Sequence, residues 1–340
     1  MENKKATIKD VASLSKVSIK TVSRVINNEY GVSRTTKSKV LKSIKTLDYN
    51  PNKAAQGLRS KKSFLIGLVY DNPDKFYLSD IQTGVLETCA INGFSVVLFP
   101  CDHKEVDLTA NLIEFSKRTN LDGLILTPPI SDMKELVKSL QLEIPLCVVS
   151  PGLLTSNLLC VSSDDFEASY SMTCHLINQG HSEIGFIKGH KDHGATQHRL
   201  DGYLGALSDN NIVVNKDNIT EGDFSFDSGE IAARQLLKKG KSKVTAIFAS
   251  NDAMAAGVMK AAHKAKINIP NDISLVGFDN SPTASQAWPS ITTIAQPIKE
   301  MATFAAQILI DNISNKSEKK NVNKVFGSEL IFRESVKKIN

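Results

Sequence analysis

The stretch "TIKDVASLSKVSIKTVSRVINN", Thr7–Asn28, holds two helical patterns with only Lys16, Val17 and Ser18 between them. Thr7 is placed to cap the first, with Asp10 three positions on in a variant of the capping box. Ile8, Val11, Ala12 and Ser15 then share one face. Ser18 is placed to cap the second. At about 100° per residue, Val22, Val25 and Ile26 gather on its inner side, and Lys20, Ser23, Arg24 and Asn27 on its outer side. The small Ala12 allows the two axes to cross closely. A third pattern, Val40, Leu41, Ile44 and Leu47 behind a Ser33 cap, closes a small core.

Two helices joined that tightly present the second at a fixed angle, with its polar face outward. This is the layout of a helix-turn-helix unit, whose second helix enters the major groove of DNA. Lys20 and Arg24 have the reach for guanine edges or phosphates, and Ser23 and Asn27 for shorter contacts. The charge agrees. Residues 1–62 carry 15 Lys/Arg against 4 Asp/Glu, a net +11 in a chain of +5, which leaves −6 on the remainder. A basic head on an acidic body points to a polyanion partner for the head and a different ligand for the body.

The spacing "IKDVA…VS…TVSRVIN" followed by "VSRTTKSKVLKSIKTLDYNPNKAAQGLRS" resembles the head of the LacI/GalR (lactose-repressor) family of bacterial transcription regulators, and the resemblance extends along the rest of the chain. It implies that Ile19, Lys20 and Arg24 read the operator, within a DNA-facing set of Thr7, Ser18, Ile19, Lys20, Thr21, Ser23, Arg24 and Asn27. Lys16 departs from the family, which usually has glycine there. If the position requires positive φ, lysine costs on the order of 1 kcal/mol.

After the head comes "NPNKAAQGLRSKKS". Pro51 stops the third helix, and Asn52 is placed to cap a segment too short to be a stable free helix. The resemblance implies a hinge helix, residues 51–62, that pairs with a second copy in the minor groove. There Asn52, Ala55, Leu58 and Arg59 face DNA and Leu58 wedges into the central base step, a general minor-groove device.

From Ser63 apolar runs alternate with helical stretches. Strands are expected at 64–70, 95–99, 123–126, 146–149, 160–161, 184–187, 246–249 and 274–278. Amphipathic stretches lie between them, Ile81–Ala90 and Phe166–Gln179 among them. That alternation predicts α/β architecture with doubly wound parallel sheets, and about 280 residues are too many for one such sheet. The resemblance implies a periplasmic-binding-protein-like core of two subdomains with three crossings. The expected division is 1–50 for the helix-turn-helix domain and 51–62 for the hinge. Residues 63–162 with 291–324 form one subdomain, and 163–290 with 325–340 the other.

Ligands of such sheets sit at the carboxyl ends of strands. Asn72, Phe76, Tyr77, Ser150, Arg199, Phe224, Asn251, Asp279, Trp288 and Gln296 all fall near such ends or at the crossings. Carboxylate, guanidinium, amides and aromatics converging on one cleft suit a sugar or a nucleoside. Effector contacts in the family fall at positions matching Arg199, Asn251, Asp279 and Gln296. Purine-binding members have Arg and Thr about where His193 and Ala195 stand, which argues for a sugar.

Nothing in the sequence has phosphate-loop, GxGxxG, HExxH or GxSxG spacing, so no enzyme is expected. His190, His193 and His198 lie in one loop without a matching ligand array, and neither metal nor cofactor is expected. The five cysteines are dispersed, as in reduced cytoplasmic proteins. No signal peptide or membrane span is expected. The whole reads as a cytoplasmic homodimeric repressor of an approximately palindromic operator, controlled by a small effector.

Overall fold

The computed structural model describes residues 6–26, 30–49, 62–152, 157–238, 244–314 and 322–339. The chain divides into two compact units, residues 1–64 and 65–340.

The first unit contains α1 (Ile8–Ser15), α2 (Ile19–Ile26) and α3 (Arg34–Thr46). Asp10 closes the start of α1, its Oδ2 accepting the Thr7 backbone N–H at 2.8 Å and the Thr7 hydroxyl at 2.7 Å. The helix ends at Lys16, which takes left-handed φ 55°, and Val17 N–H then returns to the Ala12 carbonyl at 3.1 Å. This is a Schellman stop built on lysine instead of glycine. Ser18 Oγ accepts the Thr21 N–H at 3.1 Å, and Ser33 Oγ the Thr36 N–H at 3.2 Å. Val11, Ala12, Val22, Val25 and Val40 form the core, with Ile8, Val17, Ile26, Ile44 and Leu47 packed against it. Leu41, expected in this core, is exposed. One position after Val40, it is turned about 100° away from the buried stripe.

The second unit has two lobes. In the first, β1 (Leu65–Tyr70), β2 (Ser95–Pro100), β3 (Gly123–Leu126), β4 (Leu146–Val149), β5 (Leu159–Ser163) and β11 (Asn323–Phe326) form one parallel sheet of order β11-β5-β4-β3-β1-β2. α4 (Lys75–Ile91), α5 (Leu108–Thr119), α6 (Lys134–Glu143) and α12 (Ile298–Ser314) belong to it. Strands β3, β4 and β5 are buried at every position, so they read as apolar runs without alternation. In the second lobe β6 (Ile184–Ile187), β7 (Ile219–Thr220), β8 (Ala246–Ala249) and β9 (Ser274–Val276) form a parallel sheet of order β7-β6-β8-β9. Around it are α7 (Asp165–Asn178), α8 (Gly194–Asp209), α9 (Phe226–Leu236), α10 (Asp252–Lys264) and the short α11 (Pro282–Gln286). β10 (Thr293–Ala295) pairs antiparallel with β12 (Glu329–Ile331).

The sheets place two of the crossings later than expected. Ile291 is buried in a second-lobe cluster, and Thr292 bridges to Val276 of β9, so 291–295 belong to the second lobe. The chain passes over between Ala295 and α12. Val325 lies inside β11, and the return follows Phe326. The first crossing, expected near Ser162, follows the end of β5 at Ser163. Among the described residues no helix is long and apolar enough to cross a membrane.

Candidate functional site: a closed inter-lobe cleft and a helical reading face

Strand ends of both lobes converge on one cleft, lined by Asn72, Asp74, Tyr77, Ser150, Asp165, His193, Arg199, Phe224, Asn251, Asp279 and Gln296 among others. Local rules fix each side chain. Asp74 caps α4, its Oδ1 accepting the N–H groups of Phe76 at 2.9 Å and Tyr77 at 3.2 Å. Asn251 caps α10 by accepting the Met254 N–H at 2.9 Å. The two caps then join the lobes: Asn251 Nδ2 donates to Asp74 Oδ2 at 2.9 Å.

Arg199 is buried at the centre. Its Nε donates to Asp165 Oδ1 at 2.8 Å, one terminal nitrogen donates to the Ser250 carbonyl, and the other lies 3.9 Å from Asp279 Oδ1. The guanidinium carbon stands 3.6 Å from the centroid of the Phe278 ring and 5.7 Å from that of Phe224. Gln296 Nε2 donates to Asp279 Oδ1 at 2.7 Å, and its Oε1 accepts the Ser163 hydroxyl at 2.9 Å. Burial pushes the Asp279 carboxyl up to about 8; Arg199 pulls the other way, and the neighbouring Asp74 and Asp252 add to the rise. Burial, with His190 and Arg199 adding, drives the His193 imidazole down to about 3, which keeps it neutral.

Two buried cleft hydroxyls, Tyr77 Oη and Ser150 Oγ, face each other, and neither makes a well-formed hydrogen bond among the described residues. Each such group costs free energy until it is paired. Backbone strain collects in the same place, for Ser150 (φ 48°), Phe224 (φ 70°) and Asp279 (φ 99°) all have positive φ. The space enclosed is about 30 Å³, room for about one water molecule. Asn251 with Asp74 and Gln296 with Asp279 and Ser163 bond to one another in the cleft, and the space left between them is too small for a ligand larger than water. A wider groove of about 730 Å³ runs alongside, lined by Asp132, Lys138, Gln141, His198 and Asp201 among others. It lacks the stacked guanidinium and the aromatic faces of the smaller site.

Eight of the ten residues expected from sequence are brought together here. Phe76 and Trp288 are not. Phe76 contributes its N–H to the Asp74 cap while its side chain is largely exposed, and Tyr77, the next residue on the helix, takes the cleft position. Trp288 is 87% exposed, in the loop after α11. Asp74 and Asp165 went unread. "DNPDKFY" carried the helix-cap signal for Asp74. The pairing of Asp165 with Arg199 depends on helix packing that spacing does not reveal.

On the head, Thr7, Ser18, Ile19, Lys20 and Arg24 are exposed, and Thr21 and Ser23 are partly so. Asn27, Asn52, Ala55, Leu58 and Arg59 lie outside the described residues.

A helix-turn-helix head and a two-lobed core that closes on a polar cleft define a DNA-binding transcription regulator controlled by a small ligand. Residues 7–52 match the model of bacterial regulatory proteins of the lacI family, and residues 173–336 that of the periplasmic binding protein-like domain. The HTH-type transcriptional repressor PurR of Vibrio campbellii is 33% identical over 98% of this chain and 100% of its own. Among solved structures, the Lac repressor dimer bound to operator and the anti-inducer ONPF aligns with a TM-score of 0.78 at 27% identity, covering 98% of this chain and 100% of that one. The transcriptional regulator CelR in complex with cellobiose aligns at 0.74 and 29%, covering 97% and 99%. This chain belongs to the LacI family of bacterial transcription regulators.

Proposed function

We propose that the protein is a cytoplasmic repressor that acts as a two-fold homodimer on an approximately palindromic operator, and that a mono- or disaccharide in the inter-lobe cleft sets its operator affinity. The observation that carries the sugar reading is the cleft itself. A buried guanidinium stacks on Phe278 near Phe224, beside the carboxyl of Asp279, the amides of Gln296 and Asn251, and the facing hydroxyls of Tyr77 and Ser150. Such groups take sugar hydroxyls pairwise and a ring face at once. The relative solved with cellobiose supports the same class.

In this reading Ile19, Lys20 and Arg24 contact base edges, and Thr7, Ser18, Thr21, Ser23 and Asn27 flank them. Asn52, Ala55, Leu58 and Arg59 hold the minor groove. Saccharide binding exchanges the Asn251–Asp74 and Gln296–Asp279 hydrogen bonds for bonds to ligand hydroxyls. The changed lobe arrangement alters the pairing of the two hinges. Coupling requires the saccharide to bind the two arrangements with different affinity.

Three measurements test it. Operator binding by the full chain should fall steeply with salt and be lost in residues 63–340; binding retained by the shortened chain refutes the head assignment. A thermal-shift screen should find its hits among saccharides, and hits confined to nucleobases or nucleosides refute the sugar. Leu58→Ala should weaken specific binding and abolish DNA bending while sparing non-specific binding.

A further inference from the structure

A second constellation stands beside the Arg199 cluster, and it also draws on both lobes. His103 Nδ1 lies 2.7 Å from Asp71 Oδ2, which accepts the His103 backbone N–H at 2.9 Å as well. A carboxylate is acceptor only, so Nδ1 donates to it, and Nε2 is the nitrogen that faces the second lobe. At 3.2 Å from that Nε2 lies Asp192 Oδ2, another acceptor. Either a proton on Nε2 or a cation bound between the two lone pairs holds them that close.

His190 supplies a third lone pair. Its Nδ1 accepts the Asp192 N–H at 3.2 Å, so that nitrogen is the unprotonated one, and it lies 3.9 Å from Asp192 Oδ2. One ligand atom from each of His103, His190 and Asp192 lies within 4.8 Å of the other two. Ligands held about 2.1 Å from a tetrahedral zinc ion are roughly 3.4 Å apart. Two of the three spacings here, 3.2 and 3.9 Å, bracket that value. The side chains are 13% exposed for His103 and 18% for His190, so the cluster is partly dry yet reachable.

We propose that His103 Nε2, His190 Nδ1 and Asp192 Oδ2 form a binding site for a divalent transition-metal ion of the zinc class, with water in the fourth position and Asp71 orienting His103. The carboxylate behind the histidine is the usual support for such a ligand. Occupancy replaces the long Asp192 N–H bond to His190 by a metal bond. His103 and Asp71 follow β2 and β1 of the first lobe, whereas His190 and Asp192 follow β6 of the second. The ion therefore binds only where the lobes meet and stabilises the closed arrangement by mass action. The loop "HKDH" lacked a ligand when read alone, because His103 stands 89 residues before Asp192.

The test uses tag-free, full-length protein stripped with chelator and titrated with cobalt(II) chloride, then zinc chloride. One cobalt per chain should give a tetrahedral visible band without thiolate charge transfer, displaced by zinc. His103→Gln and His190→Ala should lose the band, Asp192→Asn should weaken binding, and Asp71→Asn should weaken it about 10- to 100-fold. His198→Ala should bind as wild type does. Circular dichroism checks each fold, and the surface variant Asp192→Asn decides if a histidine variant fails to fold. Absence of stoichiometric cobalt uptake overturns the site, as does wild-type affinity in the His103, His190 and Asp192 variants. Either result leaves a proton on Nε2 and a plain ion pair between the lobes.

Discussion

Gly152 of the first lobe and Gly194 of the second meet backbone to backbone. A Cβ on Gly152 would lie 2.4 Å from the Cα of Gly194, and one on Gly194 2.0 Å from the Cα of Gly152. Asp132 spans the contact, its two oxygens accepting the N–H of Gly152 and, at 2.9 Å, that of Gly194 at the start of α8. A carboxylate of one lobe thus sits on the helix N-terminus of the other, where the unpaired N–H groups favour negative charge.

Gly194→Ala should therefore hold the lobes apart. The obstruction is backbone, which cannot rotate away, and overpacking of this kind costs about 1–3 kcal/mol. Residues 63–340 carrying Gly194→Ala should show a lower melting temperature and a larger radius of gyration by X-ray scattering. Scattering and stability equal to wild type would mean that the lobes do not meet here in solution.

Lys16 provides a gain instead of a loss. Its φ of 55° puts a Cβ where the following carbonyl crowds it. Glycine removes that penalty but loses more chain entropy on folding. Lys16→Gly should stabilise the head by about 0.5–1 kcal/mol net, and Lys16→Ala should be close to neutral. Urea unfolding of residues 1–62 followed by circular dichroism measures both. A destabilised glycine variant would place Lys16 outside the left-handed region.

The head and the lobes were legible because their signals are local. Caps such as Ser18 and Ser33 and apolar runs such as 123–126 and 146–149 state their own structure. Strand ends then located the cleft, since ligands lie beyond carboxyl ends of parallel strands. What stayed hidden was pairing at a distance. Asp165 against Arg199, Asp74 against Asn251 and His103 against Asp192 are set by how the elements pack, for which no spacing exists in the chain. Trp288 misled for a related reason, because an aromatic at a crossing is as compatible with an exposed loop as with a ring platform.

Asp279 should make stability depend on pH. In the unfolded chain its carboxyl titrates near 3.8, and in the fold burial pushes it up to about 8. Above about pH 4 the unfolded chain gives up a proton that the folded chain keeps. The contribution is full below that pH, declines as pH rises, and is lost by about pH 8. Asp252, raised by burial to about 7, acts in the same direction. Asp279→Asn keeps the shape and removes the titration, so its melting temperature should gain on wild type between pH 5 and 8. A difference independent of pH across that range would show that the carboxylate is ionised throughout.

Arg199 is where stability and recognition separate. Removing its side chain leaves the buried carboxyl of Asp165 without its guanidinium partner and the Ser250 carbonyl without a donor. Losing one partner of a buried pair costs about 3–5 kcal/mol, so Arg199→Ala should melt well below wild type. That result alone would not implicate Arg199 in binding. Arg199→Lys is the sharper variant. It keeps a positive charge near Asp165, but a single ammonium cannot serve Asp165, Ser250 and a ligand hydroxyl in one plane, nor stack on Phe278 as the guanidinium does at 3.6 Å. A lost hydrogen bond to a charged group is worth about 1.5–3 kcal/mol. Calorimetric titration with the saccharide found in the screen should therefore show a tenfold to hundredfold weaker complex for Arg199→Lys, with most of the wild-type stability retained. Wild-type affinity in the lysine variant would confine Arg199 to a structural role and remove it from the proposed saccharide site.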